Sequence, residues 1–162
     1  MVAIKIGKHI TAVLERGREE ARAEGAGTVE AAHLLLALAA GENAAACRAL
    51  AGAGLDHEAV RAALRREFEH SLRAVGVTDL TRQLPPPSPA PRRPAQIGAS
   101  AKLAIERGVR AAARAEFLPA HLLVGIVRAE AGTVPRALRL AGIDPADIER
   151  RVAAELGAEP AR

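Results

Sequence analysis

The sequence predicts an all-α fold of about eight helices, arranged as two four-helix repeats around a pseudo-twofold axis. Two observations carry that prediction. The first is that the chain restates itself. His33-Leu34-Leu35-Leu36-Ala37-Leu38-Ala39 returns as His121-Leu122-Leu123-Val124-Gly125-Ile126-Val127, and Arg48-Ala49-Leu50-Ala51-Gly52-Ala53-Gly54-Leu55-Asp56 returns as Arg136-Ala137-Leu138-Arg139-Leu140-Ala141-Gly142-Ile143-Asp144, both at an offset of 88. Leu14-Glu15-Arg16-Gly17 returns as Ile105-Glu106-Arg107-Gly108 at an offset of 91, so the second copy is three residues shorter in its first loop. The second observation is composition. Hydrophobic residues make up 49% of the chain, yet only Phe68 and Phe117 are aromatic, so the core is built from Ala, Leu, Val and Ile. Abundant Ala, Leu, Arg and Glu favour helix.

The first helix is expected from about Lys8 to Glu24, with Ile10, Val13, Leu14, Gly17 and Ala21 on one helical face. Gly25-Ala26-Gly27 ends it. Thr28 suits the N-cap of a second helix carrying His33 to Ala40, which Gly41 stops. Asn43 suits the cap of a short third helix that ends at Gly52-Ala53-Gly54. Asp56 opens the fourth, whose expected buried stripe is Val60, Ala63, Leu64 and Phe68. Leu84 to Pro94 then holds six of the ten prolines. Such a stretch fits neither a helix interior nor a sheet, so an extended, polyproline-like tether is expected. In the second copy Ala101, Ala104, Ile105, Gly108 and Ala112 line the fifth helix. Pro119 suits the first position of the sixth, Thr133 and Pro135 open the seventh, and Asp144-Pro145 opens the eighth with Ile148 and Val152. The tail from Gly157 is expected to fray. The resulting division is 1–80 for the first repeat, 81–96 for the linker and 97–157 for the second repeat, in one compact domain.

Composition also excludes function classes. No run of 18 or more apolar residues exists, and the start is too short and charged for a signal peptide. The single Cys47 cannot form an internal disulfide. A cytoplasmic protein without membrane contact is expected. The net charge of +4 raises the question of nucleic acid. However, 20 of the 23 basic residues are Arg and most alternate with Glu along helices, the pattern of a solvated face with pairs such as Arg65 and Glu69. Few aromatics and no recognition-helix motif also argue against nucleic acid.

The succession of a long helix, a His-Leu-Leu-Leu-Ala-Leu helix (His33 to Leu38) and a short helix ending in Ala53-Gly54-Leu55-Asp56, all doubled, resembles the Clp repeat. A double Clp repeat forms the N-terminal domain of Clp unfoldases such as ClpA, ClpB and ClpC. The resemblance spans about residues 6–156. It implies an all-α pseudo-dimer that recruits protein or peptide substrates and adaptor proteins for an ATP-driven unfoldase. No Gly-x-x-x-x-Gly-Lys-[Ser/Thr] occurs and the chain is too short for an ATPase module, so it resembles the recognition domain without its motor. Where the family repeat carries a glutamate before its histidine, this chain has Ala32 and Ala120. In ClpC-type domains that glutamate helps hold the guanidinium of a phosphorylated arginine. A methyl group offers no acceptor for those donors, so phosphoarginine recognition is expected to be absent or greatly weakened. In relatives the starts of helices one and five form a seam that binds peptides or hydrophobic cyclic ligands. The matching positions are Ile6, Lys8, Leu14, Ile97, Lys102 and Glu106, with Ile97 replacing an aromatic.

No residue pattern calls for catalysis, a cofactor or a metal. His33 and His121 have no second ligand at metal spacing, and their equivalent places suit histidines that satisfy backbone groups at a helix junction. Cys47 lies beside Ala44, Ala45 and Ala46, which supply no base, so it suits a small buried packing role. The recurring Glu15-Arg16 and Glu106-Arg107 suit a solvated helical face. Gly17 and Gly108 sit on apolar stripes, where close helix crossing explains them. The expected function is a non-catalytic recognition module that engages substrates, adaptors or a Clp ATPase. The alternatives are a freestanding decoy or a small-molecule-sequestering protein that uses the inter-repeat seam.

Overall fold

A computed structural model describes residues 7–41, 45–77 and 83–158. Eight helices follow in order among the described residues: α1 Lys8–Ala23, α2 Ala31–Ala39, α3 Ala45–Gly52, α4 His57–Ala74, α5 Ala99–Ala112, α6 Pro119–Val127, α7 Thr133–Leu140 and α8 Pro145–Ala158. Local chemistry explains their ends. Asp56 accepts from Ala59 N at 2.8 Å to open α4, and Asp144 accepts from Ala146 N at 2.9 Å to open α8. Helices α3 and α7 close alike. Gly54 and Gly142 adopt φ of +75° and +70°, which lets Leu55 N reach Leu50 O and Ile143 N reach Leu138 O, each at 2.9 Å.

The apolar helices α2 and α6 form the centre, with Leu34, Leu36, Leu122, Leu123 and Ile126 fully buried. One continuous core runs through both repeats. Around it the packing is reciprocal: α1 lies on α2 as α5 lies on α6, and α3 meets α8 as α7 meets α4. Ion pairs repeat this exchange. Arg48 of α3 donates to Glu155 of α8 at 2.6 Å, and Arg136 of α7 donates to Glu67 of α4 at 2.7 Å. Both arginines and both glutamates are related by the same offset of 88. Each repeat thus grips the other with the same pair of residues, the geometry of an isologous dimer interface within one chain.

Several expectations need correction. The N-cap of α2 is Glu30, and Thr28 instead donates its hydroxyl to the Glu30 carboxylate at 2.9 Å. On α4 the buried face is Val60, Ala63 and Glu67, leaving Phe68 54% exposed. The spacing i, i+3, i+7 turns toward α7, where Glu67 is satisfied by Arg136 and by Ser71 at 2.6 Å. Arg65 and Glu69 form no ion pair among the described residues. The arginine pairs that do form within a helix among the described residues, Glu15 with Arg18, Glu19 with Arg22, Glu106 with Arg110 and Asp147 with Arg150 and Arg151, all place the acid first. That order suits the helix dipole; Arg65 followed by Glu69 is the reverse. Cys47 is half-buried, its thiol 3.4 Å from Ala39 O. Gly157 belongs to α8, while Asn43 and the chain after Ala158 lie outside the described residues.

The proline-rich stretch carries no helix or strand from Pro85 to Gln96, yet it is no loose tether. Ala90 N bonds Arg22 O at 2.7 Å, Arg18 reaches Pro94 O at 2.6 Å, and Arg93 pairs with Glu15 and Glu19 at 3.2 Å. The strap is therefore tied along α1 before it enters α5. The glycines at the crossings are explained by contact. A Cβ on Gly17 would stand 2.9 Å from Leu34 Cδ2, and one on Gly108 would stand 2.8 Å from His121 O.

Candidate functional site

The end of the strap builds the site. Val29 and Ile97 form a parallel bridge, with Val29 N on Gln96 O at 3.0 Å and Gly98 N on Val29 O at 2.8 Å. This brings the start of α5 against the start of α2, across 70 residues of chain. Ser100 then clamps the two. Its hydroxyl accepts from Ala31 N at 2.8 Å and donates to the Glu30 carboxylate. Ser100 N also reaches Glu30 Oε2 at 3.3 Å. The carboxylate fills the space in front of Gly98, so a Cβ there would push the Glu30 side chain out of the clamp. On the other side of the axis, Gly7 at the start of α1 lies beside Glu116 in the α5–α6 loop, so close that a Cβ on Gly7 would stand 3.4 Å from Glu116 Oε1. Each long helix therefore begins against the other repeat.

Between the clamp and the α6–α7 turn lies a cleft of about 280 Å³. Repeat one contributes Glu30, Ala31 and Ala32. Repeat two contributes Ser100, Leu103, Ala104 and Arg107 from α5, then Ile126, Ala129 and the segment from Ala131 through Pro135. Its wall is mostly aliphatic, with polar groups supplied by Glu30, Ser100, Arg107 and Thr133, the usual character of a binding cleft. Burial works to raise the Glu30 carboxyl, but the hydrogen bonds from Ser100 and Thr28 outweigh it and hold Glu30 below the ordinary carboxylate value. Arg107 donates to Gly125 O at 3.4 Å and has no carboxylate partner among the described residues.

The two histidines hold the helix starts that frame this region. His33 Nδ1 accepts from Glu30 N at 2.9 Å, and His121 Nδ1 accepts from Leu118 N at 3.1 Å. His33 presents its other nitrogen to Glu24 at 3.1 Å. With Nδ1 accepting, the ring proton sits on Nε2. Burial lowers the pKa of His121, which favours the same neutral form. Both rings cap the backbone, as their spacing suggested. The repeated Glu-Arg pairs also act on backbone: Arg16 donates to Ala40 O and Arg107 to Gly125 O, near the ends of the second helix of each repeat.

The positions singled out from sequence are spread around this cleft. Ala32 lines it, while Ala120 is buried. Ile97 is half-buried in the bridge to Val29, and Leu14 is half-buried against the core. Lys8, Lys102 and Glu106 are exposed, Glu106 lying 4.0 Å from Arg110. Ile6 lies outside the described residues. Lys102 and Glu106 share α5 with the cleft residues Leu103 and Arg107, one step round the helix. Sequence reading missed Ser100, Leu103, Arg107 and Thr133 as a group. The signal for Arg107 was its recurrence with Arg16.

The family model of the Clp repeat (R) N-terminal domain matches residues 5–116. The solved N-terminal domain of the caseinolytic protease associated chaperone ClpD from Arabidopsis thaliana is similar, with 18% identity, a TM-score of 0.65 and 98% of each chain covered. A structure from investigations of a malarial protein secretion system is 16% identical, with a TM-score of 0.63 and 92% of each chain covered. At these identities the likeness concerns the fold. No curated protein matches the chain.

Proposed function

The chain belongs to the Clp repeat N-terminal domain family, and from that premise we propose that it is a non-catalytic recognition module, binding protein or peptide substrates or adaptors for a Clp unfoldase–protease system. The observation that carries this reading is the inter-repeat cleft. It is aliphatic, polar at a few points, and framed by helix starts that cross-repeat hydrogen bonds hold in place. A preformed cleft of this kind binds without first ordering its own walls. The exposed residues Lys8, Lys102 and Glu106, with Leu14, Ile97 and Ile6, are the proposed extension of the contact surface for a longer ligand such as a hydrophobic cyclic peptide.

Ala32 in the cleft wall presents only a methyl group. A ligand guanidinium would lose its hydration there with no acceptor from position 32, and the neighbouring Glu30 carboxylate is already bonded to Thr28 and Ser100. Free phosphoarginine is therefore expected to bind weakly. Micromolar binding of phosphoarginine in calorimetry would refute that expectation. The recruiter reading is tested by immobilising the protein and passing native lysate over it. Retention of a Clp ATPase or of its substrates supports the reading, and retention of neither opposes it.

A further inference from the structure

We propose that the cleft receives the C-terminal residue of a peptide, with an aliphatic side chain against its wall and the free carboxylate on Arg107. This rests on the recruiter reading and names the ligand chemistry of the same site. Unmet hydrogen-bonding capacity on one side of the cleft points to it. Glu30 is already engaged: Oε1 accepts from Thr28, and Oε2 accepts from both the amide and the hydroxyl of Ser100. A carboxylate has about four acceptor sites, so three bonds leave it little to offer a ligand. Arg107 stands in the opposite condition. Its guanidinium has five donors of fixed geometry, and its one bond among the described residues is the long contact to Gly125 O at 3.4 Å. No carboxylate among the described residues pairs with it. Arg107 thus lacks a charged acceptor, which a ligand carboxylate supplies in a bidentate pair.

The rest of the wall sets what accompanies that carboxylate. Leu103 stands 48% exposed beside it, an apolar face that a ligand side chain can cover. Ala32 and Val134 add apolar surface without bulk. At about 280 Å³ the cleft lies just below the usual range for drug-sized ligands, room for one aliphatic residue rather than for a chain running through. A terminal residue fits that volume and brings its own carboxylate.

Fluorescence anisotropy tests this with an N-terminally labelled peptide Gly-Ser-Gly-Ser-Ala-Leu, compared as free acid and as C-terminal amide. The full chain carries no Trp or Tyr to interfere. The acid is expected to bind about tenfold more tightly, the scale of one charge-assisted pair. Arg107→Gln should abolish that preference, while Arg107→Lys should retain part of it. Circular dichroism confirms that each variant is folded; the acid-to-amide comparison on the unaltered protein stands even if one is not. Equal binding of acid and amide, or a preference that survives Arg107→Gln, overturns the proposal. An amidated peptide carrying an internal Glu beside Leu, if it bound as well as the acid, would assign the carboxylate to a side chain and overturn the terminal claim. If no peptide binds while lysate proteins are still retained, the ligand class is wrong and the recruiter reading survives; loss of lysate retention as well removes both.

Discussion

The crossing of α5 on α6 should be intolerant of a single methyl group, while the matching crossing of α1 on α2 should accept one. In the second repeat Gly108 and Gly125 face each other. A Cβ on Gly125 would meet Ala104 O and the Gly108 backbone, and one on Gly108 would lie 2.8 Å from His121 O and 3.1 Å from Leu122 Cα. These are backbone atoms, so the helices themselves must part. Overpacking of this kind costs about 1–3 kcal/mol, and the backbone obstacle places Gly125→Ala near the top of that range. Alanine returns at most about 1 kcal/mol in helix propensity, leaving a net loss of about 2 kcal/mol. In the first repeat Ala37 already stands where Gly125 does, and the nearest obstacle to a Cβ on Gly17 is Leu34 Cδ2 at 2.9 Å, the end of a side chain that can turn aside. For Gly17→Ala, strain and propensity should cancel to within about 1 kcal/mol. Thermal unfolding followed by far-ultraviolet circular dichroism reads both. For a chain of this size the Gly125→Ala loss corresponds to a melting temperature lower by roughly 4–8 °C. Gly125→Ala melting at or above the parent temperature would refute the close-crossing argument.

Other perturbations test the interlock and the caps. Arg136→Ala leaves the Glu67 carboxylate buried without its cation and should cost about 1–3 kcal/mol in urea unfolding. Arg48→Ala acts at the more exposed mirror pair and should cost less than about 1 kcal/mol. Burial pushes Glu67 up, but Ser71 and Arg136 outweigh it and lower its pKa, so its stabilisation is present above the ordinary value of 4.5 and lost as pH falls through the folded value. Melting curves of Glu67→Gln should therefore depend less on pH in the acid range than those of the parent. His121, lowered by burial from 6.5, should titrate by NMR with a midpoint below that value. Its contribution to stability is present above 6.5 and falls away as the buried ring is protonated at lower pH. Ser100→Ala removes the clamp on Glu30 and Ala31 and should cost about 1 kcal/mol, read by urea unfolding.

Much of the architecture could be read before any coordinates. Helix starts announced themselves through Asp56, Asp144 and Pro119, because a cap is a local event. The histidines were legible for the same reason, each bonding a backbone amide three residues earlier. The larger errors of sequence reading depended on partners far along the chain. Glu67 rather than Phe68 is buried because α7 brings Arg136 across 69 residues. The cleft depends on Ser100 meeting Glu30, and no local pattern at Ser100 foretells that meeting. One distant signal was present and easily passed over: Glu67 and Glu155 keep the same offset as Arg48 and Arg136, which marks a reciprocal contact between the copies. The strap likewise looked like a spacer because proline content describes what a segment cannot form, and its anchoring rests on Arg18, Arg22 and Arg93 outside that logic.

The central claim is that the inter-repeat cleft is where this protein holds what it recruits. The direct test compares the parent chain with Ala129→Phe, which fills the cleft from its half-exposed rim, for retention of proteins from the same native lysate. With folding of both confirmed by circular dichroism, the account predicts that the filled variant retains little of what the parent retains. Equal retention by the two proteins would contradict it.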